Sequence, residues 1–298
     1  RESFRQINKS SFEKRWVAHS RYGGNSNCWW ACTPRFHPND FRLQSRYGVG
    51  ADWPVSYDDL EQAYCEVEGI MEVTGGGSQH ILPRSRPFPY PPHTPSRSDT
   101  VLQANSDLWF PQPTARSNGG RRAKCCNNGV CGRCPIDSKF TVQNAEHHFQ
   151  RQNCQIVFGA ELRSISVENG TAKTVALRTS DGSEVEVAAS LIALGANAIF
   201  NAAILIRSGF TSSALGRYLH EQVSQTLIID IDKRNYFGGT SITGHGYALY
   251  DGKHRSETAG VLMENLNNPY VLRPVRGRWT ERLLMKLLAE DLPQADNR

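Results

Sequence analysis

Residues 23–36 read GGNSNCWWACTPRF, and the interpretation of the whole chain turns on them. Gly23 and Gly24 let a backbone approach a bulky planar group, because neither carries a Cβ. Asn25, Ser26 and Asn27 are short polar side chains that can hydrogen-bond the edges of such a group. Cys28, Trp29 and Trp30 follow and can wall it in, before the turn at Thr33, Pro34 and Arg35. The combination suits a buried conjugated cofactor. It also suits a plain glycine turn followed by a core patch of tryptophan.

Composition narrows the classes. The chain has 298 residues, 39% hydrophobic and 21% charged, which is the balance of a globular protein with ample core. The net charge of +5 is spread out, and only Arg121, Arg122 and Lys124 form a tight basic knot. Without interleaved aromatics this argues against nucleic acid as a partner. No apolar run approaches the ~20 residues of a transmembrane segment. The chain starts at Arg1, not Met, and finishes on a turn-like run at 292–298, so both ends are expected to be cut. Cytoplasm and periplasm therefore both stay open.

Outward from the opening run, Ser56 and Asp59 form a helix-capping pattern ahead of Leu60, Tyr64, Val67 and Met71, with Gly75–Gly77 expected to stop the helix. Residues 81–113 read as an ordered proline-rich wrapping loop containing a short helix at 98–108, and a helix is expected at 138–150. Strands are expected at 155–159, 161–167, 173–179, 183–188 and 190–195. Asn169-Gly170 and Asp181-Gly182 mark hairpin turns between them. A helix at 196–208, a strand at 226–231, a glycine-rich loop at 238–250 and an amphipathic helix at 280–290 complete the reading.

Three further features carry chemistry. At residues 192–196 an apolar strand ends on small residues and opens a helix, so unpaired N–H groups could face a phosphate or nucleotide edge. Cys125, Cys126, Cys131 and Cys134 crowd into ten residues and could hold iron–sulfur or zinc, pair as disulfides, or simply pack as thiols. Residues 216–222, GRYLHEQ, carry His220 at a helix-end position. No H-E-x-x-H spacing occurs, which argues against a zinc hydrolase, and no G-x-G-x-x-G follows a strand. Asn169-Gly170-Thr171 matches a glycosylation sequon, but the hairpin turn explains it better. The remaining histidines, His245 among them, have no diagnostic spacing.

Together these pieces resemble the glucose–methanol–choline (GMC) oxidoreductases, most closely the pyranose-oxidase-like branch. Gly23, Gly24 and Ser26 are similar to that family's diglycine–serine segment, and residues 33–36 and 216–222 resemble two further elements of it. Residues 194–209 resemble its second signature, with Asn197 in place of a usual glycine, and Asn201 and Ala202 in place of Ser/Thr-Pro. The loop from Gly129 to Lys139 resembles its cysteine–glycine loop ahead of a lysine.

The resemblance implies a mixed α/β (α+β) fold. Part of an FAD-binding Rossmann-like domain with a β-meander would be interleaved with a substrate domain of antiparallel sheet and helices. The expected segments are 1–40 (FAD-binding), 41–150 (lid or substrate-side insertion), 151–222 (FAD-binding) and 223–298 (substrate domain). It implies FAD-dependent oxidation of an alcohol or sugar hydroxyl, with a small-molecule substrate and an unassigned electron acceptor. Flavin contacts are expected from Gly23, Gly24, Asn25, Ser26, Asn27, Cys28 and Trp29, and adenosine-end contacts from Leu162, Leu194 and Gly195. Cys28 stands where that branch has a histidine bonded to the flavin, so a non-covalent FAD is expected, with a Cys28 thioether to the flavin as the alternative. The catalytic histidine and its His/Asn partner are expected beyond residue 298. The alternatives are an electron-relay module with a cysteine-bound cluster, or an inactive truncated remnant.

Overall fold

The computed structural model describes residues 19–150, 153–232, 239–267 and 281–297. In chain order the elements are α1 (Leu43–Tyr47), α2 (Tyr57–Met71), α3 (Arg97–Asn105), β1 (Trp109–Pro111) and α4 (His147–Gln150). A meander follows: β2 (Ala160–Glu168), β3 (Thr171–Thr179) and β4 (Glu184–Ala188). Then come α5 (Asn197–Arg207), β5 (Val223–Asp230), β6 (Ile242–Leu249), β7 (Val261–Leu266) and β8 (Arg282–Ala289). The chain divides into two compact units: Arg1–Gln152 with Val223–Glu290, and Asn153–Gln222 with Asp291–Arg298. The fold is mixed α/β, and both of its sheets are antiparallel.

The larger unit holds a five-stranded sheet in the order β1-β6-β7-β8-β5. Its capped helix forms as the sequence predicts: the Ser56 side chain accepts from the Asp59 N–H, and the Asp59 carboxylate accepts from Ser56. The helix ends at Met71, earlier than the three glycines, because Glu72 adopts the left-handed conformation at φ 51°. Val67, expected on the buried face, is exposed. The buried stripe instead runs through Tyr57, Cys65 and Glu68. Glu68 is accommodated there because the Arg35 guanidinium reaches it at 2.9 and 3.0 Å.

Two segments of this unit adopt structures other than those expected. The amphipathic pattern at 280–290 forms strand β8, not a helix, because β5 and β7 pair with it on both sides. Tertiary pairing overrides the helix propensity of its leucines and lysine. The glycine-rich stretch at 238–250 contains strand β6, not a loop. A Cβ on Gly244 would collide with Asp99 and Trp109, and one on Gly246 with Trp109 and Met263. Those glycines let an indole lie against the strand.

The helix expected at 138–150 shrinks to α4. Residues before it are drawn into extended pairing, with Ser117 N–H donating to Ser138 O and Phe140 N–H to Ala115 O.

In the smaller unit the hairpins form where Asn-Gly and Asp-Gly predict them, giving the order β2-β3-β4. Helix α5 is tied to this sheet by Ser208 Oγ, which accepts from the Ile165 N–H at 2.8 Å. The stretches 155–159 and 190–195 form no strand. Neither has a ladder partner among the described residues, and Val157, Phe158 and Leu191 are exposed.

Candidate functional site

The opening run is a left-handed entry into a 3-10 turn. Gly23 has φ 90° and Gly24 φ 51°, and Gly24–Asn27 make the turn. Its polar side chains are largely spent on fixing the run itself. Ser26 Oγ donates to Gly23 O and accepts from the Val142 N–H, and the Asn27 amide donates to Tyr22 O. Asn25 Oδ1 accepts from the His19 N–H at 3.0 Å, and Cys28 Sγ lies 3.5 Å from Asn25 O. Trp29 turns inward. Its indole N–H donates to Phe140 O at 2.8 Å, and its ring packs against the cluster of Ala31, Val73 and Ala115. Trp30 is the exposed one of the pair.

Two buried cations hold the far side of this run. Lys139 Nζ donates to the carbonyls of Asn27 (3.2 Å), Trp29 (2.9 Å) and Gly132 (3.2 Å). Arg116 donates to the Trp30 carbonyl. A trans peptide directs its N–H opposite to its carbonyl, so the Trp30 and Ala31 N–H groups face away from the two cations. Neither donates a hydrogen bond among the described residues. They form a fixed donor pair beside a glycine turn. Ala31 is fully buried, so of the two only the Trp30 N–H belongs to an exposed residue and could meet the polar edge of an isoalloxazine.

Leu162, Leu194 and Gly195 lie in the smaller unit. Leu162 O accepts from Arg207 at 3.3 Å and Leu194 O from Asn201 at 3.2 Å, while Gly195 faces open space. The donors at the start of α5 are already used. Asn197 Oδ1 accepts from the N–H groups of Ile199 and Phe200, and Asn201 Oδ1 from that of Ala196. Asn197 has φ 78°, the left-handed geometry that glycine adopts without strain.

The cysteine loop adjoins the same cations. Cys125, Cys131 and Cys134 line a small cavity with Arg116 and Lys139. Backbone N–H groups point at two of the sulfurs, Asn127 at Cys125 (3.4 Å) and Ser241 at Cys131 (3.1 Å). All the cysteines are free thiols. Burial pushes the Cys125 thiol up and the Lys139 ammonium down. No three of these four sulfurs come within 4.8 Å of one another, whereas a single zinc ion needs such closeness. Arg116 Nε and Nη1 are buried with no hydrogen-bond partner among the described residues.

A third group escapes sequence reasoning altogether. Cys32 Sγ lies 3.7 Å from His245 Nε2 and 3.8 Å from Glu264 Oε1, and those two are 3.3 Å apart. His245 and Glu264 are direct cross-strand partners on β6 and β7. Burial alone would lower the His245 pKa, but the charge and hydrogen bond of Cys32 and the Glu264 carboxylate outweigh it and push it up to about 9. No local spacing signals this group, since its members are more than two hundred positions apart on the Cys32 side.

The family model described as GMC oxidoreductase matches residues 16–224. The large subunit of fructose dehydrogenase from Gluconobacter japonicus is 28% identical over 260 residues, covering 80% of this chain and 48% of that protein. The 2-methyl-1,2-propanediol dehydrogenase of Mycolicibacterium austroafricanum is 27% identical over 69% of this chain and 41% of its own length. The crystal structure of pyridoxine 4-oxidase from Mesorbium loti shares the fold, with a TM-score of 0.60 at 16% identity over 92% of this chain and 57% of that one. The chain spans about half the length of the curated relatives it matches. With a family match over more than half its residues, the chain belongs to the GMC oxidoreductases, a family of FAD-binding flavoproteins.

Proposed function

We propose that the full-length protein is an FAD-dependent oxidoreductase that converts the CH–OH group of an alcohol or sugar to a carbonyl, and that residues 23–31 face the flavin. The observation that carries this reading is the left-handed Gly23–Gly24 turn followed by the exposed Trp30, whose N–H makes no hydrogen bond among the described residues while Lys139 and Arg116 hold the run from behind. A flavin bound there would supply the two-electron acceptor for the alcohol carbon. The residues of this chain bind and orient it. Gly24 leaves space for close approach, and the Trp30 N–H offers a donor to a polar ring edge. Trp29, locked on Phe140, fixes the turn, and Trp30 shields the ring from water. No residue of this chain is assigned the proton-accepting role. Cys28 cannot make a histidyl bond, and its thiol against Asn25 O at 3.5 Å favours a cofactor held without a covalent link over a thioether.

The test is flavin retention. Trp29→Ala in the full-length protein should lower the flavin-to-protein absorbance ratio several-fold, while far-ultraviolet circular dichroism shows the fold retained. A folded variant with an unchanged ratio would sink the assignment.

A second reading is favoured by the unpartnered guanidinium nitrogens of Arg116, which together with Lys139 place buried positive charge beside Cys125, Cys131 and Cys134. Thiolates around an inorganic iron–sulfur core would bring compensating negative charge. In this reading the loop relays electrons from the flavin to an acceptor. Iron and acid-labile sulfide analysis separates the two readings, since only the relay requires stoichiometric iron.

A further inference from the structure

The geometry points to a divalent-cation site of the zinc class, held by Cys32 Sγ, His245 Nε2 and Glu264 Oε1 in the larger unit. The first argument is metrical. Zinc bonds of about 2.3 Å to sulfur, 2.0–2.1 Å to nitrogen and 2.0–2.2 Å to oxygen, set tetrahedrally, give ligand–ligand edges of about 3.6 Å to sulfur and 3.4 Å between nitrogen and oxygen. The observed edges are 3.7, 3.8 and 3.3 Å. A charge-assisted hydrogen bond between imidazolium and carboxylate would draw its atoms to about 2.7–2.9 Å instead. Backbone pairing of His245 opposite Glu264 sets the donors at the spacing of coordination edges.

Charge is the second argument. His245 is fully buried and Glu264 only 5% exposed, while Cys32 packs against the apolar cluster of Ile242, Leu266 and Leu284. A thiolate, a carboxylate and a neutral imidazole around a doubly charged ion sum to zero, which suits so dry a place. Third, Tyr247 lies two residues along the same face of β6, its ring 6.3 Å from that of His245. Its hydroxyl is buried with no hydrogen-bond partner among the described residues. A bound water would take the fourth position, with the Tyr247 hydroxyl as its hydrogen-bond partner. Cys32 is only partly buried, which leaves an entry path. A mixed sulfur, nitrogen and oxygen donor set selects zinc or cobalt over magnesium or calcium. The ion would fasten residues 23–36 to the sheet, and its binding requires no flavin.

Full-length protein, freed of metal by chelator, is titrated with zinc and separately with cobalt, and compared with Cys32→Ser, His245→Gln and Glu264→Gln. Cys154→Ser, at an exposed thiol outside both cysteine groups, serves as the control. One equivalent should bind to the parent and to the control. Each ligand variant should bind roughly 100-fold or more weakly, since losing a group that merely orients a ligand already costs about 10–100-fold. The cobalt form should show one thiolate-to-cobalt band with the intense visible bands of a tetrahedral ion. Should the ligand variants fail to fold, this spectrum of the parent decides alone. Absence of a tetrahedral one-thiolate spectrum, or zinc binding that Cys32→Ser leaves unchanged in a folded protein, would overturn the site.

Discussion

Lys139 Nζ stands 2.9 Å from the carbonyl oxygen of Trp29, and the same ammonium spans to Gly132 in the cysteine loop. One side chain, 2% exposed, therefore fixes two loops that lie far apart in sequence. Lys139→Met keeps much of the stem but leaves three buried carbonyls without their donor. At about 1–3 kcal/mol for each unmet buried group, partly relieved by relaxation, a loss of about 3 kcal/mol is expected in urea unfolding. A loss below about 1 kcal/mol would mean the carbonyls find other partners.

Gly23 and Gly24 should respond differently to alanine. Gly23 has φ 90°, and a Cβ there would stand 3.0 Å from the Asn27 side chain. Gly24 has φ 51°, with only His19 O nearby at 3.9 Å. Gly23→Ala should cost about 2 kcal/mol or more, and Gly24→Ala about 1 kcal/mol. Thermal unfolding of the two variants should rank them in that order.

Arg35 bridges Glu61 at 3.1 Å and Glu68 at 2.9 Å with 2% of its side chain exposed. Arg35→Ala leaves the buried Glu68 carboxylate to Arg84 alone and should cost about 2–3 kcal/mol. Arg35→Lys should recover little of this, because one ammonium cannot replace the fork that meets both acids. Urea midpoints of the two variants measure the difference.

His93 sets an acid limb of stability. Burial first, then the nearby Arg116 and Lys124 cations, lower its pKa to about 4, although its hydrogen bond to Arg116 O works the other way. The unfolded chain, titrating near 6.5, binds more protons between these values. Stability should therefore decline as pH falls from about 6.5 toward 4, by on the order of 2–3 kcal/mol. In His93→Gln that decline should shrink, which urea midpoints at pH 7 and pH 4.5 would show.

Local chemistry was readable where it acts within a few residues. The Ser56–Asp59 cap and the Asn-Gly and Asp-Gly hairpins form as their side chains dictate. What escaped depends on distant partners. Residues 282–289 satisfy a helical pattern until β5 and β7 offer ladders on both edges. Gly244 and Gly246 look like loop residues until the Trp109 indole is laid upon them. The glycine run of residues 23–24 was legible as a turn, but not the part played by Lys139 and Arg116, which come from over eighty positions away. Cys32 and Glu264 meet His245 only through the sheet.

The smaller unit interrupts the larger one, and this bears on how the chain is made. Trp109 pairs with Gly246, so β1 leaves the ribosome more than a hundred residues ahead of its neighbour. At 5–20 residues per second, that interval is roughly seven to thirty seconds. Through it the first half of the larger unit must wait with its sheet edge open and Trp109 uncovered, while the intervening meander can already close its own hairpins. In this molecule the order of synthesis and the order in which the larger sheet can pair are thus separated.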